Sequence, residues 1–365
     1  MKKLMSSVII VTLIISITAC EGKKANSSQT AENTASESSK ELNLLAWSGF
    51  DDSAIEKLEE LTGYTINYTP FSSLEEMETK VMSNSTQYDV AMSSDYIIEA
   101  LVAQDELEEI DTSKLDNYSK IGTGYLSPTY DPDDKWSVPY SGGGIGILVN
   151  RDVIKTEINS YADLWNEELK NQIAYTADAR MALSIANLVN GNDFNATKED
   201  EIRAAGEKLS ELVPNIKTFT YSGYKLLLSG EVNVLVTATG DEYKAAKEMD
   251  NWAFINPTEG EHRFIDSFVI PKDANMDGAY AFINAVISTE YLTRKGEDTN
   301  WGYGYTNLEV EDMALKSGIS QDLLDISYPE EGVYKTAKYM SRIGDASLIY
   351  DEVWSEVKLN AGNKM

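Results

Sequence analysis

Two reactive side chains are nearly missing from this 365-residue chain: it has one cysteine and one histidine. A single thiol cannot close an internal disulfide, so no covalent staple holds the fold. A single imidazole, His262, excludes the zinc motifs that need two histidines, and any Ser-His-Asp triad would have to be built on it alone. His262 reads as a surface or hinge residue within a strand-like run. Basic residues are also scarce, with 31 Lys and Arg against 60 Asp and Glu, a formal net charge of −29. Phosphate backbones need clustered cations, so nucleic acid is excluded as a partner. The acid excess gives a solvated, self-repelling surface, and its field draws cations toward any cleft. The sequence contains neither the G-x-S-x-G elbow nor the phosphate loop G-x-x-x-x-G-K-[ST]. No catalytic group, metal or cofactor is expected.

The one cysteine has a telling position. Lys2 and Lys3 precede an apolar run from Val8 to Ile17, followed by Ile17-Thr18-Ala19-Cys20. A basic start, a short apolar segment and small residues make a signal peptide, and the run falls short of the ~20 residues that span a bilayer. Ile17 to Cys20 resembles the bacterial lipobox, which implies cleavage after residue 19 and lipid on Cys20. Residues 21–41 have no aromatic or large aliphatic side chain, so they cannot bury enough surface to order themselves. The expected arrangement is a folded body tethered to a membrane rather than threaded through it.

The remainder is large enough for two domains. "LNLLAW" reads as a strand, and "DDSAIEKLEELTGY" as a helix capped by Asp or Ser and stopped by Gly63. "TINYTPF", a helix from Leu74 to Met82, "YDVAMSS" and a helix through "YIIEALVAQDELEEI" continue the alternation. After a break, the pattern resumes with a helix near 161–169, "IAYT", helices through Met181 and "EDEIRAAGEKLSEL", and "EVNVLVTAT". "NWAFINP" and "HRFIDSFVIP" read as a strand pair. This predicts an α/β fold of two lobes, each a mostly parallel sheet flanked by helices, with ligand at the strand C-termini between them.

Three motifs suggest chemistry only superficially. "SGGGIGI" (141–147) lacks the spaced third glycine of a dinucleotide site and reads as a close-packed crossing between lobes. "DANMDG" (273–278) begins like a calcium loop, but Asn284 stands where a bidentate Glu is required. "DPDD" (131–134) reads as a polar turn.

A longer pattern then emerges. "AWSGF", "YDVAMSSDYIIEAL", "IDTSKLDNYSK", "VPYSGGGIGILVN", "SYADLWNEELK", "TADAR", "LVPN", "GEVNV", "FIDSFVIP", "GYGYTN" and "GDASLIYDEVW" occur in order along most of the chain. Together they resemble the bacterial spermidine/putrescine-binding proteins of ABC importers. The resemblance implies a two-lobed periplasmic-binding-protein-like (type II) fold with two hinge crossings. It puts 42–145 plus 264–312 in one lobe and 146–263 plus 313–365 in the other. It also implies a monomer that delivers a small cationic amine to an ABC permease in the membrane.

Carried over residue by residue, the family's pocket falls on Trp47, Ser48, Phe50, Ser94, Tyr96, Asp178, Phe264, Asp266 and Tyr303. An ammonium offers only donors, so carboxylates and aromatic faces suit it. One carboxylate with two or three aromatic walls approaches the roughly −8 kcal/mol of a micromolar complex. Each residue has a plainer reading: Asp178 as the cap of the next helix, Ser94 and Tyr96 as first-turn residues, and the other aromatics as core. Asp266 resists one, because an unpaired carboxylate in an apolar strand is costly. The chain also departs from the family. Met181 replaces a second carboxylate, Ala238 an aromatic wall, Met340 a polar contact and Gly49 an acid. The pocket therefore reads as less acidic and more apolar at one end, suited to one strong charge site or to a polyamine held differently. The alternatives are a binder of another small solute, a secreted surface hydrolase using His262 or an acid pair, and an adhesin.

Overall fold

The computed structural model describes residues 40–83 and 87–362. The signal segment 1–19, Cys20 and the tether up to residue 39 lie outside the described residues. In chain order come β1 (Glu41–Trp47), α1 (Asp52–Thr62), β2 (Thr65–Phe71), α2 (Leu74–Ser83), β3 (Val90–Ser94), α3 (Asp95–Ala103), β4 (Val138–Ile145) and β5 (Ile147–Asn150). They are followed by β6 (Ile173–Thr176), α4 (Ala179–Val189), α5 (Glu199–Leu212), β7 (Ile216–Thr220), α6 (Tyr224–Leu228), β8 (Val234–Val236), α7 (Thr239–Lys247), β9 (Trp252–Ile255) and β10 (His262–Val269). The C-terminal part holds α8 (Met276–Val286), α9 (Thr289–Asp298), β11 (Gly304–Tyr305), α10 (Glu309–Lys316), α11 (Gln321–Leu324), α12 (Glu331–Thr336) and α13 (Ala346–Ala361).

Local chemistry sets several of these limits. Asp51 accepts from Ala54 N at 2.8 Å to start α1, and Gly63 at φ +69° stops it. The helix expected through Ile110 ends at Ala103 instead. Asp105 turns the chain at φ +59°, and the fully buried Leu107 makes an isolated bridge to Pro271. The helix expected near 161–169 is two short 3₁₀ turns, because Asn166 accepts from Glu168 N and restarts the coil. "DPDD" is a turn in which Asp131 accepts from the backbone N–H groups of Lys135, Trp136 and Ser137.

Two sheets organise two lobes. The first runs β11-β4-β10-β3-β1-β2 and the second β7-β6-β8-β5-β9. Each is parallel only in its βαβ half (β2-β1-β3 and β7-β6-β8), while the strands that cross between lobes enter antiparallel. The segments read as a strand pair do not pair. β9 joins β5 in the second sheet, and β10 lies between β3 and β4 in the first. The turn at 256–261 is a lobe crossing, not a hairpin. Each lobe has its own apolar centre, one around Leu44, Phe268 and Phe282, the other around Ile173, Tyr175 and Trp354. At about 1.5–3 kcal/mol per buried large side chain, each centre can hold its lobe while the crossing stays thin.

That crossing is tightly packed. A side chain on Gly143 would strike the Phe264 ring, one on Gly144 the Glu261 carboxyl, and one on Gly146 the Phe254 ring. Alongside runs a buried ion pair, Arg263 Nη1 to Glu261 Oε2 at 3.2 Å. The Arg263 guanidinium also lies 5.2 Å from the centre of the Tyr334 ring. Among the described residues no helix is long and apolar enough to cross a membrane.

Candidate ligand-binding site

The candidate site is built from the first sheet outward, starting at Asp266. In β10 it lies across from Ser94 of β3 and Ser141 of β4, beside a register shift between Asp266 and Ser267. Such bulges re-aim side chains. Trp47, the last residue of β1, donates from its indole nitrogen to Asp266 Oδ1 at 3.3 Å. A strip of Asp266 still reaches solvent, although its surroundings are those of an enclosed group. Burial pushes its carboxyl up to about 7, the Trp47 bond pulls it partly back, and the charge of Asp95 pushes it further up. A carboxylate held so high wants a cation.

Trp47 is itself positioned by aromatic packing and by its backbone. Its ring centre lies 4.5 Å from that of Phe71, and its carbonyl accepts from the Tyr68 hydroxyl at 2.6 Å. Phe50 is a buried core residue against Tyr68 and Tyr140, with ring centres 5.9 and 6.3 Å away. Ser48 and Gly49 are exposed on the same loop. Phe264 is half-buried in β10, and its ring covers Gly143. Tyr303 is 51% exposed, with its ring centre 6.4 Å from that of Tyr305.

The second lobe presents a different set. Asp178 caps α4, accepting from Met181 N at 2.7 Å, as the plainer reading of that residue holds. Met181 is buried in the second lobe's centre, where a carboxylate would be out of place. Ala238 precedes α7 and packs, half-buried, against the same centre, as does Met340. Among the described residues no hydrogen bond joins Asp178 to Asp266.

Two residues not singled out in the sequence bring the lobes together. Arg180, on α4, donates from Nη2 to Asn195 Oδ1 at 2.8 Å and to the Ser341 carbonyl. Its guanidinium lies over the Tyr96 ring of α3, 5.3 Å from the centre. Asp95, the first residue of α3, accepts from Ser94 Oγ at 2.8 Å and from Met340 N at 3.3 Å. It is 3% exposed, and burial raises its carboxyl to about 6 against the pull of these donors and Arg180. Asp95 stands between two candidate residues, Ser94 and Tyr96, but an acid in a first helical turn looks like ordinary capping. The lobes thus touch across the cleft. A cavity of about 590 Å³ does open elsewhere, between β9 and the α11–α12 segment, but it is lined by residues such as Asp250, Asp322 and Glu330 and by none of the candidates. Its acidic walls are largely exposed, so it lacks the enclosure that surrounds Asp266.

His262 is buried rather than on the surface. Its ring stacks on Phe194 at 5.3 Å and 12°, and Nδ1 donates to the Lys338 carbonyl at 2.8 Å. Burial holds its pKa down to about 4, so it is neutral at physiological pH.

Comparison with known proteins agrees with this architecture. Residues 53–322 match the family model described as bacterial extracellular solute-binding protein. A spermidine/putrescine-binding periplasmic protein of Haemophilus influenzae is 31% identical, over 98% of this chain and 99% of its own. One from Salmonella typhimurium is 30% identical over 308 residues, 83% of this chain and 87% of its own. Among solved structures, a spermidine/putrescine ABC transporter substrate-binding protein from Streptococcus pneumoniae superposes with a TM-score of 0.75 at 28% identity, covering 89% of this chain and 100% of that one. A putative spermidine/putrescine ABC transporter protein from Listeria monocytogenes gives 0.72 at 29% identity, covering 88% and 99%. With the fold, the crossings and these matches in agreement, the chain belongs to the bacterial extracellular solute-binding proteins, the family that includes these spermidine/putrescine-binding relatives.

Proposed function

We propose that this protein captures a polyamine or related organic amine between its lobes and delivers it to an ABC permease, from an anchor at lipidated Cys20. The observation that carries the reading is Asp266: a carboxylate enclosed at the strand ends, with Trp47 as its donor and its pKa raised to about 7. Such a group gains most from a ligand that is itself positive and rich in donors. Trp47, hydrogen-bonded to it, and Phe264, two residues away on the same strand, supply aromatic faces, each worth about 2 kcal/mol toward a desolvated cation. Trp47, Ser48, Phe50, Ser94, Tyr96, Asp178, Phe264, Asp266 and Tyr303 form the proposed pocket, with Met181 as an apolar wall. The proposed lobes are 42–145 plus 264–312 and 146–263 plus 313–365. Ligand contacts from both lobes would favour the closed form that the permease reads. Names and folds of the relatives support the amine class and the transport role, and the sequence around Cys20 supports the anchor.

The test is a tryptophan-fluorescence titration of the mature chain with putrescine, spermidine and a monoamine at pH 8. Saturation in the micromolar range by at least one supports the reading. No response below about 1 mM, or about −4 kcal/mol, removes the amine assignment.

A further inference from the structure

Asp95 has no part in the pocket as carried over from the family resemblance, yet it directly follows Ser94, the cross-strand partner of Asp266, and its charge acts on Asp266. Ser94 and Asp266 are cross-strand partners in adjacent antiparallel strands, so their side chains share one face of the sheet. Ser94 Oγ donates to Asp95 Oδ1, which fixes the Asp95 carboxyl toward that same face. Asp95 reaches this position at φ +32°, a conformation that residues other than glycine adopt at a cost and that recurs at functional sites. Asp266 is under-supplied with donors: the Trp47 indole serves Oδ1, and among the described residues nothing donates to Oδ2.

Every element packed against Asp95 contributes something to its field. Ser94 and the Ile265 backbone donate from β3 and β10, and Met340 N donates from the second lobe. Arg180 faces it from α4, but directs its own hydrogen bonds to Asn195 and Ser341. Tyr130 and Tyr339 feel its negative charge, and so does Asp266. The two carboxyls are thus joined through neighbouring strand residues, Ser94 and Asp266, and Asp266 feels the charge of Asp95, with Arg180, its own hydrogen bonds directed elsewhere, also acting on Asp95.

We propose that Asp95 and Asp266 hold one ammonium group of the ligand between them, which makes Asp95 a specificity-determining contact of this site. The inference rests on the amine reading above. A primary ammonium has three donors to share between two carboxylates, whereas a trimethylammonium has none. The pocket therefore selects a primary amine at this end. An ammonium held there favours the ionised form of both acids, so binding releases protons at and below neutral pH.

The experiment is calorimetric titration of the mature protein with putrescine and its N,N,N-trimethyl derivative, at pH 6 and pH 8, in two buffers of different ionisation enthalpy. Asp95→Asn is the variant, because an amide can still accept from Met340 N while the charge is gone. Expected for the wild type are binding at least tenfold weaker at pH 6 than at pH 8, more protons released at pH 6, and tighter binding of the primary amine. Expected for Asp95→Asn are a loss of at least tenfold at pH 8 and a smaller proton release. Wild-type affinity and proton count in Asp95→Asn overturn the inference and leave the amine reading standing. If the wild type binds no amine at pH 8, the amine reading fails and this inference fails with it. Should the variant not fold, carboxyl NMR of the wild type labelled at aspartate decides: two raised titrations that fall on adding putrescine support the pairing, and only one contradicts it.

Discussion

Arg180 and Tyr96 belong to different lobes, yet the guanidinium carbon of one lies 5.3 Å from the ring centre of the other. The protein therefore carries a positive charge of its own across the cleft. Such a contact contributes about 0.5–2 kcal/mol depending on its solvation, enough to bias the lobes toward closure but not to lock them. Arg180→Met should shift the ligand-free protein toward an open form, seen as a larger radius of gyration in small-angle scattering. An unchanged radius would show that the contact does not hold the lobes.

Removing the charge of Asp266 should separate stability from binding. Its folded pKa is raised above the unfolded value, so the folded state binds more protons between about pH 4 and 7. Stability from this acid is gained as pH falls through that window and lost as pH rises through it. Asp266→Asn should therefore melt higher than the wild type at pH 8 without ligand, while the two converge near pH 4. Thermal scans across that range check the sign, and a lower melting point at pH 8 counts against it.

His262 has the opposite linkage. Its pKa falls from 6.5 to about 4 on folding, so the stability tied to its neutral form is present above pH 6.5 and lost as pH drops toward 4. Replacing His262 with Ala removes the stack on Phe194 and leaves a cavity, a cost of about 2–4 kcal/mol by analogy with other large-to-small core changes. Amine affinity of the folded variant should be retained. A role in turnover would instead appear as a lost reaction with stability intact.

At the crossing, Arg263→Met should be among the most damaging single changes. It leaves Glu261 fully buried without its partner, which costs about 3–5 kcal/mol. Adding Glu261→Gln to it should recover much of the loss, measured as the denaturation midpoint. An additive double variant would indicate that the pair is not coupled.

Cys20→Ala should release the protein into the medium and abolish its labelling by radioactive palmitate. Continued membrane association would mean that another segment provides the anchor.

Much of the fold was legible because its signals are local. Asp51 and Gly63 mark the ends of α1 in the sequence and in space, and "TINYTPF" and "EDEIRAAGEKLSEL" coincide with β2 and α5. What failed was long-range. Nothing within "NWAFINP" or "HRFIDSFVIP" says that they pair with strands of different sheets, since that depends on the packing of 143–146 against 254–264. The candidate site divides the same way. Trp47 and Asp266 come from separate motifs and the structure joins them by a hydrogen bond, whereas Asp178 caps its helix and Met181 packs in a core. Asp95 gave no signal because its burial and its bond to Met340 N depend on packing across the lobes, which neither composition nor spacing records.

The central claim is that Asp266 is the anion that holds the ligand's ammonium. Calorimetric titration of wild type and Asp266→Asn with putrescine and spermidine at pH 8 tests it most directly. The predicted result is micromolar binding to the wild type by at least one amine and a loss of at least tenfold in the variant, about 1.4 kcal/mol or more. Equal affinity in the two proteins would contradict it.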